Sequence, residues 1–119
     1  MDKFPARMFK GAAIYGVIVL LPLYLTPLPP AGAEVFLGFV GLALVFQALF
    51  WMIGSDPAKY RPLMPIAVAE KLIFAVPCEA LWASGYPVNP PVALFAWIDL
   101  LLGIGFFFAW RKIPSQTEK

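Results

Sequence analysis

Residues 35–53 read VFLGFVGLALVFQALFWMI, an unbroken apolar run without a charged side chain. A helix needs about 20 such residues to cross the roughly 30 Å of hydrocarbon in a bilayer. Similar apolar runs occupy residues 11–27, 63–83 and 91–110. These four runs predict an all-α integral membrane protein, a bundle of four spanning helices.

The composition favours the same class of protein. Of the 119 residues, 61% are hydrophobic and 13% are charged, whereas soluble domains are about 45–50% apolar and about 25% charged. Too few polar side chains are present to cover a water-facing surface. The formal net charge of +2 is small, which speaks against a nucleic-acid partner. We expect residues 1–119 to form one membrane domain with lipids as its surroundings.

Three short breaks rich in proline, glycine and charge separate the runs, namely TPLPPAGAE (26–34), GSDPAKYRP (54–62) and SGYPVNPP (84–91). Such sequences form turns where a helix must stop and reverse. Neighbouring helices are therefore expected to be antiparallel. Proline predicts a further break at Pro22, near the end of the first run, and a bend at Pro77 within the third. Asn89, directly before two prolines, is predicted to cap the fourth helix with its side chain.

The cations lie almost entirely on one side of the predicted bundle. Eight of the nine lysines and arginines flank the runs at that side: Lys3, Arg7, Lys10, Lys59, Arg61, Arg111, Lys112 and Lys119. Cytoplasmic loops of membrane proteins carry an excess of positive charge. The pattern predicts that both termini are cytoplasmic.

Four ionisable residues fall inside the runs: Glu70, Lys71 and Glu79 in the third, and Asp99 in the fourth. An unpaired charge costs about 2.5–3.5 kcal/mol or more at the bilayer centre. We therefore expect these side chains to face the bundle interior, with Lys71 and Asp99 forming an ion pair. Glu79 lies nearer the outer surface and is expected to reach water.

Two uncharged polar residues come to a similar depth when 1.5 Å is counted per helical residue. Gln47 and Tyr15 are predicted to hydrogen-bond to the Glu70 carboxylate. The four ionisable groups would carry a net negative charge, and burial disfavours the charged form of a carboxyl group. At least one of the carboxyl groups is therefore expected to be protonated. The cluster is either a ligand site or a device that fixes how the helices pack, and the sequence leaves both open.

The residues for several common chemistries are absent. The chain has no histidine and a single cysteine, Cys78. An internal disulfide is excluded, and haem or zinc binding is disfavoured. The sequence predicts no metal site and no cofactor.

Two segments suggest a family resemblance: YRPLMPIAVAEKL (60–72) and IDLLLG (98–103). With Glu70–Lys71 on the third helix and Asp99 on the fourth, the chain resembles short four-helix bacterial inner-membrane proteins of uncharacterised function, loosely similar in size and topology to DoxX-like proteins. The resemblance implies location in a bacterial inner membrane and no settled activity. DoxX-like proteins have links to quinone and thiosulfate redox chemistry, but this chain shows no redox motif.

Three functions remain open at this point. Small size and minimal loops favour a structural or accessory subunit of a larger membrane complex, with other membrane-protein subunits or self-association as partners. A binder or transporter of a lipophilic small molecule, such as a lipid, quinone or sterol-like compound, would use Glu70, Lys71 and Asp99 as polar anchors. A carboxylate-dependent membrane enzyme is the third, and no catalytic residue can be assigned for it.

Overall fold

The computed structural model describes residues 3–114 and contains four α-helices. They are α1 (Phe4–Leu20), α2 (Ala33–Ser55), α3 (Met64–Ala83) and α4 (Pro90–Lys112). Within the described residues there is no β-strand, which confirms the predicted all-α class. Lys119, the last of the predicted cytoplasmic cations, lies outside them.

The first helix is displaced toward the N-terminus relative to the predicted run. It begins at Phe4 rather than near residue 11, and a 3₁₀ turn over Leu21–Leu25 continues it. Pro22 has no N–H to donate to the carbonyl of Ile18, so the α-helical hydrogen-bond pattern cannot continue. The predicted break at Pro22 is confirmed.

The start of α4 differs from the prediction in one detail. Asn89 is the N-cap residue, but its side chain makes no capping hydrogen bond. A capping side chain accepts from the N–H groups of the second or third helical residue. The second is Pro91, which has no N–H, so only Val92 could donate. The backbone carbonyl of Asn89 instead accepts from the N–H of Ala93 at 3.0 Å. The predicted side-chain cap is therefore wrong.

The helices pack as two antiparallel pairs, α1 with α2 and α3 with α4, and α1 also packs against α4. The direction follows from contacts such as Phe9 with Phe106 and Arg61 with the carbonyl of Ile113, which join the start of one helix to the end of another. By contrast, the backbones of α2 and α3 run close together at few positions, and these helices meet mainly through side chains such as Phe50 and Lys71. The molecule measures 54 × 30 × 19 Å.

The tightest packing lies at one end of the bundle, where α1 and α3 begin and α2 and α4 end. We call it the basic end because the predicted cytoplasmic cations flank it. Phe9 stacks on Phe106 with 4.2 Å between ring centroids, and Phe50 meets Phe106 edge-on at 4.9 Å. All three rings are fully buried. This aromatic core closes the basic end, and we call the opposite end, with the connections after α1 and α3, the distal end.

Three stretches are long and apolar enough to cross a membrane: Phe4–Leu25, Ala33–Ser55 and Pro90–Lys112. The fourth helix predicted to span, α3, does not meet the same standard. It has 20 residues and continues through Pro77, and every window of 18 residues within it includes the three charged side chains that the sequence analysis placed there. Those charges, rather than its length, set α3 apart.

Candidate functional site

The predicted ion pair between α3 and α4 is present. The Lys71 ammonium nitrogen lies 3.4 Å from Asp99 Oδ1 and 3.7 Å from Glu70 Oε1. The lysine is only 3% exposed. The three side chains therefore form one cluster in which a buried cation sits between two carboxylates, and the predicted pairing of Lys71 with Asp99 is confirmed.

A glycine on α4 makes room for this cluster. A Cβ atom added to Gly103 would lie 3.2 Å from the Cβ of Lys71, closer than van der Waals contact allows without a shift. The missing side chain lets α3 approach α4 where the lysine leaves the backbone. On the other side, the ammonium lies 5.1 Å from the ring centroid of Phe50, a distance typical of a cation–π contact. The cluster thus rests on the aromatic core of the basic end.

A cavity of about 470 Å³ opens from the cluster toward the distal end. All four helices contribute to its walls, which are mostly apolar. The residues that line it are Tyr15, Gly16, Val19, Leu20, Leu23, Phe36, Phe39, Ala43, Gln47, Glu70, Lys71, Phe74, Pro91, Val92, Phe95 and Asp99. The polar cluster forms the floor of this cavity. Five of the six residues that the sequence singled out therefore come together around one space.

Tyr15 and Gln47 line the cavity beside Glu70 but do not hydrogen-bond to it, so that prediction is wrong. The amide nitrogen of Gln47 donates to the carbonyl of Ala43 at 2.8 Å. This carbonyl is four residues earlier on the same helix, where a polar side chain can reach it without any partner from another helix. The Tyr15 hydroxyl, Gln47 Oε1 and Glu70 Oε1 are all buried without a hydrogen-bond partner.

Gly16 on α1 leaves the space that the side chain of Gln47 occupies. A side chain at Gly16 would overlap the amide group of Gln47. The glutamine is 3% exposed and fills the space that a side chain on α1 would occupy. Its carbonyl oxygen is therefore fixed at the cavity wall.

Glu79, the sixth predicted residue, does not line the cavity. It follows Glu70 by about two and a half helical turns, which places it on the opposite side of α3. Both carboxylate oxygens are buried and have no hydrogen-bond partner, whereas the sequence analysis expected this group to reach water. Glu79 therefore does not belong to the cluster at the cavity floor.

A groove of about 410 Å³ runs along the outside of the bundle between α2 and α3. It shares Phe39, Ala43, Glu70 and Phe74 with the cavity. The rings of Phe39 and Phe74 are 6.0 Å apart between centroids. These four residues, which we call the α2–α3 seam, line both spaces and therefore lie between the cavity and the exterior on this side.

Comparison with known proteins gives no guide to the identity of the chain. No family model, no curated protein and no solved structure matches it. The resemblance to DoxX-like proteins therefore stays a prediction.

The sequence analysis missed the aromatic walls of the cavity, although a signal was present. On α2, Phe36, Phe39 and Ala43 precede Gln47 at spacings of eleven, eight and four residues, which place all four on one helix face. On α4, Phe95 precedes Asp99 by four residues in the same way. Counting back along the helix from each buried polar residue would have identified these positions.

The described residues offer little to a metal ion. Among residues 3–114, no three histidine, cysteine, aspartate or glutamate side chains come together in an arrangement that could hold one. The polar side chains around the cavity floor are those of Lys71, Glu70, Asp99, Gln47 and Tyr15.

Proposed function

We propose that this chain is an integral membrane protein that binds a lipophilic small molecule in the cavity between its four helices. The observation that carries the proposal is the cavity itself, about 470 Å³ with apolar walls and the ionisable cluster at its floor. Binding sites for small molecules typically have volumes of about 300–1,000 Å³, apolar linings and a few convergent polar groups. A molecule with an apolar body and one polar group would place its body against the apolar walls and its polar group at the ionisable cluster.

The outer surface of the bundle supports membrane insertion. In the most apolar windows of the three candidate spans, only 22% to 28% of the residues are buried. Large apolar side chains such as Ile18, Leu42 and Leu101 are about two-thirds exposed, at 66%, 67% and 65%. A soluble monomer rarely exposes continuous apolar surface of this extent. Lipid chains would cover it without cost.

The distribution of charge supports one orientation. The basic end carries Lys10, Arg61 and Arg111 together with the other flanking cations, and aromatic rings lie beside several of them. Lys10 lies 4.9 Å from the Trp51 ring centroid. An excess of cations marks the cytoplasmic end of apolar helices, and tryptophans occur at both membrane interfaces. The proposal places this end at the cytoplasm, with four spans in a bacterial inner membrane.

The α2–α3 seam supplies a route to the cavity from the lipid. Because the backbones of α2 and α3 run close together at few positions, the two helices can separate at the seam, on the distal side of the aromatic core that joins them at the basic end. Phe39 and Phe74 would then act as the movable barrier. A ligand dissolved in the bilayer could enter sideways, without passing through water.

The best test adds bulk to the seam. Ala43→Phe would fill the opening between groove and cavity, whereas Val45→Phe changes an outward-facing residue of α2 that is 66% exposed. Each variant is purified from membranes in mild detergent, and the small molecules retained by the protein are identified by native mass spectrometry. We expect one molecule per chain in the wild type and in Val45→Phe, and loss of that molecule in Ala43→Phe.

Equal retention in the two variants would contradict binding in this cavity. The same spectra address the other predicted roles. A second polypeptide retained in fixed ratio would support an accessory subunit of a larger complex, which stays a prediction. A carboxylate-dependent enzyme also stays a prediction, and it would require chemical conversion of the retained molecule.

A further inference from the structure

We propose that the polar group of the bound molecule is a protonated amine. This inference rests on the proposed binding function and adds the chemical class of the ligand. Three features of the cavity point to an amine: the charges at its floor, the hydrogen-bonding oxygens beside them and the aromatic rings in its walls.

The exposed charges at the floor are negative. The side chains of Glu70 and Asp99 are 17% and 20% exposed, whereas that of Lys71 is 4% exposed. A molecule in the cavity therefore meets the two carboxylates, and the lysine lies largely behind them. One ammonium against two carboxylates leaves an excess negative charge when both are ionised. A second cation would balance the cluster in a setting where unpaired charge is expensive.

The vacant hydrogen-bonding atoms are mostly acceptors. Gln47 Oε1 has no hydrogen-bond partner, Glu70 Oε1 has only the Lys71 ammonium, at 3.7 Å, and the amide donor of Gln47 is already used within α2. Leaving a buried acceptor unpaired costs free energy. An alkylammonium group brings three donors and no acceptor, whereas a quinone or a carboxylate brings acceptors only. The amine is thus the head group that these oxygens complement.

The walls next to the floor are rich in aromatic rings. Phe39 and Phe74 flank Glu70 from α2 and α3, and Phe95 lies one turn from Asp99 on α4. Ring faces attract cations, most strongly away from water. The Lys71 ammonium already shows such a contact with Phe50. The same rings provide apolar surface for the body of an amphiphile.

Three probes with the same chain and different head groups test the inference: dodecylamine, dodecanol and dodecanoate. Each is added at neutral pH to the purified protein in detergent. The thermal unfolding temperature and native mass spectra report binding, because a ligand that binds the folded state raises its stability. We expect dodecylamine to bind about tenfold or more tightly than the other two.

Two glutamate variants of α3 provide the matched comparison. Glu70→Gln removes a carboxylate from the cavity floor, and we expect it to weaken dodecylamine binding about tenfold and dodecanol binding much less. Glu79→Gln makes the same chemical change outside the cavity, and we expect wild-type binding of all three probes.

The outcomes separate the inference from the proposed function. Equal binding of dodecanol and dodecylamine to the wild type would overturn the amine assignment and leave the cavity as a binding site. Preference for dodecanoate would also overturn it and make Lys71 the recognising group. If none of the three probes binds the wild type, the proposed function itself fails. These comparisons need only the wild type, so they hold even if Glu70→Gln does not fold.

Discussion

Lys71 lies between two carboxylates, and loss of the lysine has a different effect from loss of one carboxylate charge. Without the lysine, Glu70 and Asp99 would share a buried site with no compensating cation. Without the charge of Asp99, the lysine still has Glu70 at 3.7 Å. The two ends of the ion pair are therefore not equivalent. Breaking a buried pair typically costs about 3–5 kcal/mol because a charge is left uncompensated.

We expect Lys71→Met to lower the free energy of unfolding by about 3 kcal/mol or more, and Asp99→Asn to lower it by clearly less. Charged groups near the cluster come from α3 and α4, while α1 contributes the Tyr15 hydroxyl and α2 the Gln47 amide. Protonation of the two carboxylates in acid removes their repulsion. The deficit of Lys71→Met should therefore shrink as the pH is lowered.

The measurement is the unfolding of each variant in detergent micelles at neutral and at acidic pH, with Glu79→Gln as the control. A Lys71→Met deficit that does not change with pH would contradict the role given to the lysine. So would equal losses in Lys71→Met and Asp99→Asn.

At this scale the sequence predicted the ion pair but not the hydrogen bonds around it. Because an isolated charge is costly in apolar surroundings, the sequence pointed to a pairing of Lys71 with Asp99. Gln47 had an alternative, since the carbonyl of Ala43 on its own helix competes for its donor. A depth estimate cannot reveal such local competition, because it says nothing of the direction in which a side chain points.

At the scale of helices, close approach depends on glycines at particular faces. A Cβ atom on Gly54 would lie 3.0 Å from the carbonyl oxygen of Ala6 and 3.0 Å from the backbone nitrogen of Lys10. Backbone atoms cannot move aside as a flexible side chain can. By contrast, nothing lies within 4 Å of the corresponding position on Gly38. Gly38 and Gly54 of α2 thus differ in what surrounds them, although both are simply glycines in the sequence.

We expect Gly54→Ala to destabilise the protein by about 1–3 kcal/mol, because α1 and α2 must move apart at the basic end. Gly38→Ala should leave stability unchanged or raise it by up to about 1 kcal/mol, since alanine favours a helix over glycine. Thermal unfolding of both variants in the same detergent measures the difference. Equal stability of the two would contradict the close packing of α1 on α2.

The sequence predicted the helices better than the partners of each helix. Proline and glycine mark the breaks, so three connections and the stop at Pro22 could be read directly. The helices are apolar almost all round, however, and no single stripe indicates which face is inside. Nothing in the composition of α2 or α3 reveals that their backbones run close together at few positions, although they follow each other in the chain.

At the scale of the molecule, the packed half and the open half lie at opposite ends. The basic end is closed by Phe9, Phe50 and Phe106, whereas the distal half encloses the cavity. In the proposed orientation, the closed basic end faces the cytoplasm and the cavity lies in the half away from it. A ligand would be held away from the cytoplasmic side.

Cysteine labelling tests the orientation. In a Cys78→Ala background, Ser55→Cys marks the basic end and Ser84→Cys marks the distal end, and both serines are exposed. In cells whose outer membrane has been removed and whose inner membrane is intact, we expect a membrane-impermeant thiol reagent to label Ser84→Cys. Ser55→Cys should react only after the membrane is permeabilised, because positive loops stay inside. Labelling of both sites in intact cells would contradict a chain that crosses the membrane with one orientation.

The three charged side chains of α3 have a consequence for biogenesis. In the proposed four-span topology, α3 reaches the insertion machinery before α4, so Lys71 arrives at the membrane while Asp99 is still inside the ribosomal exit tunnel. Alone, the helix would offer three charges to the acyl chains, at a cost of several kcal/mol. It is therefore expected to wait at the translocon until α4 arrives, so that the two helices partition into the bilayer together as a hairpin.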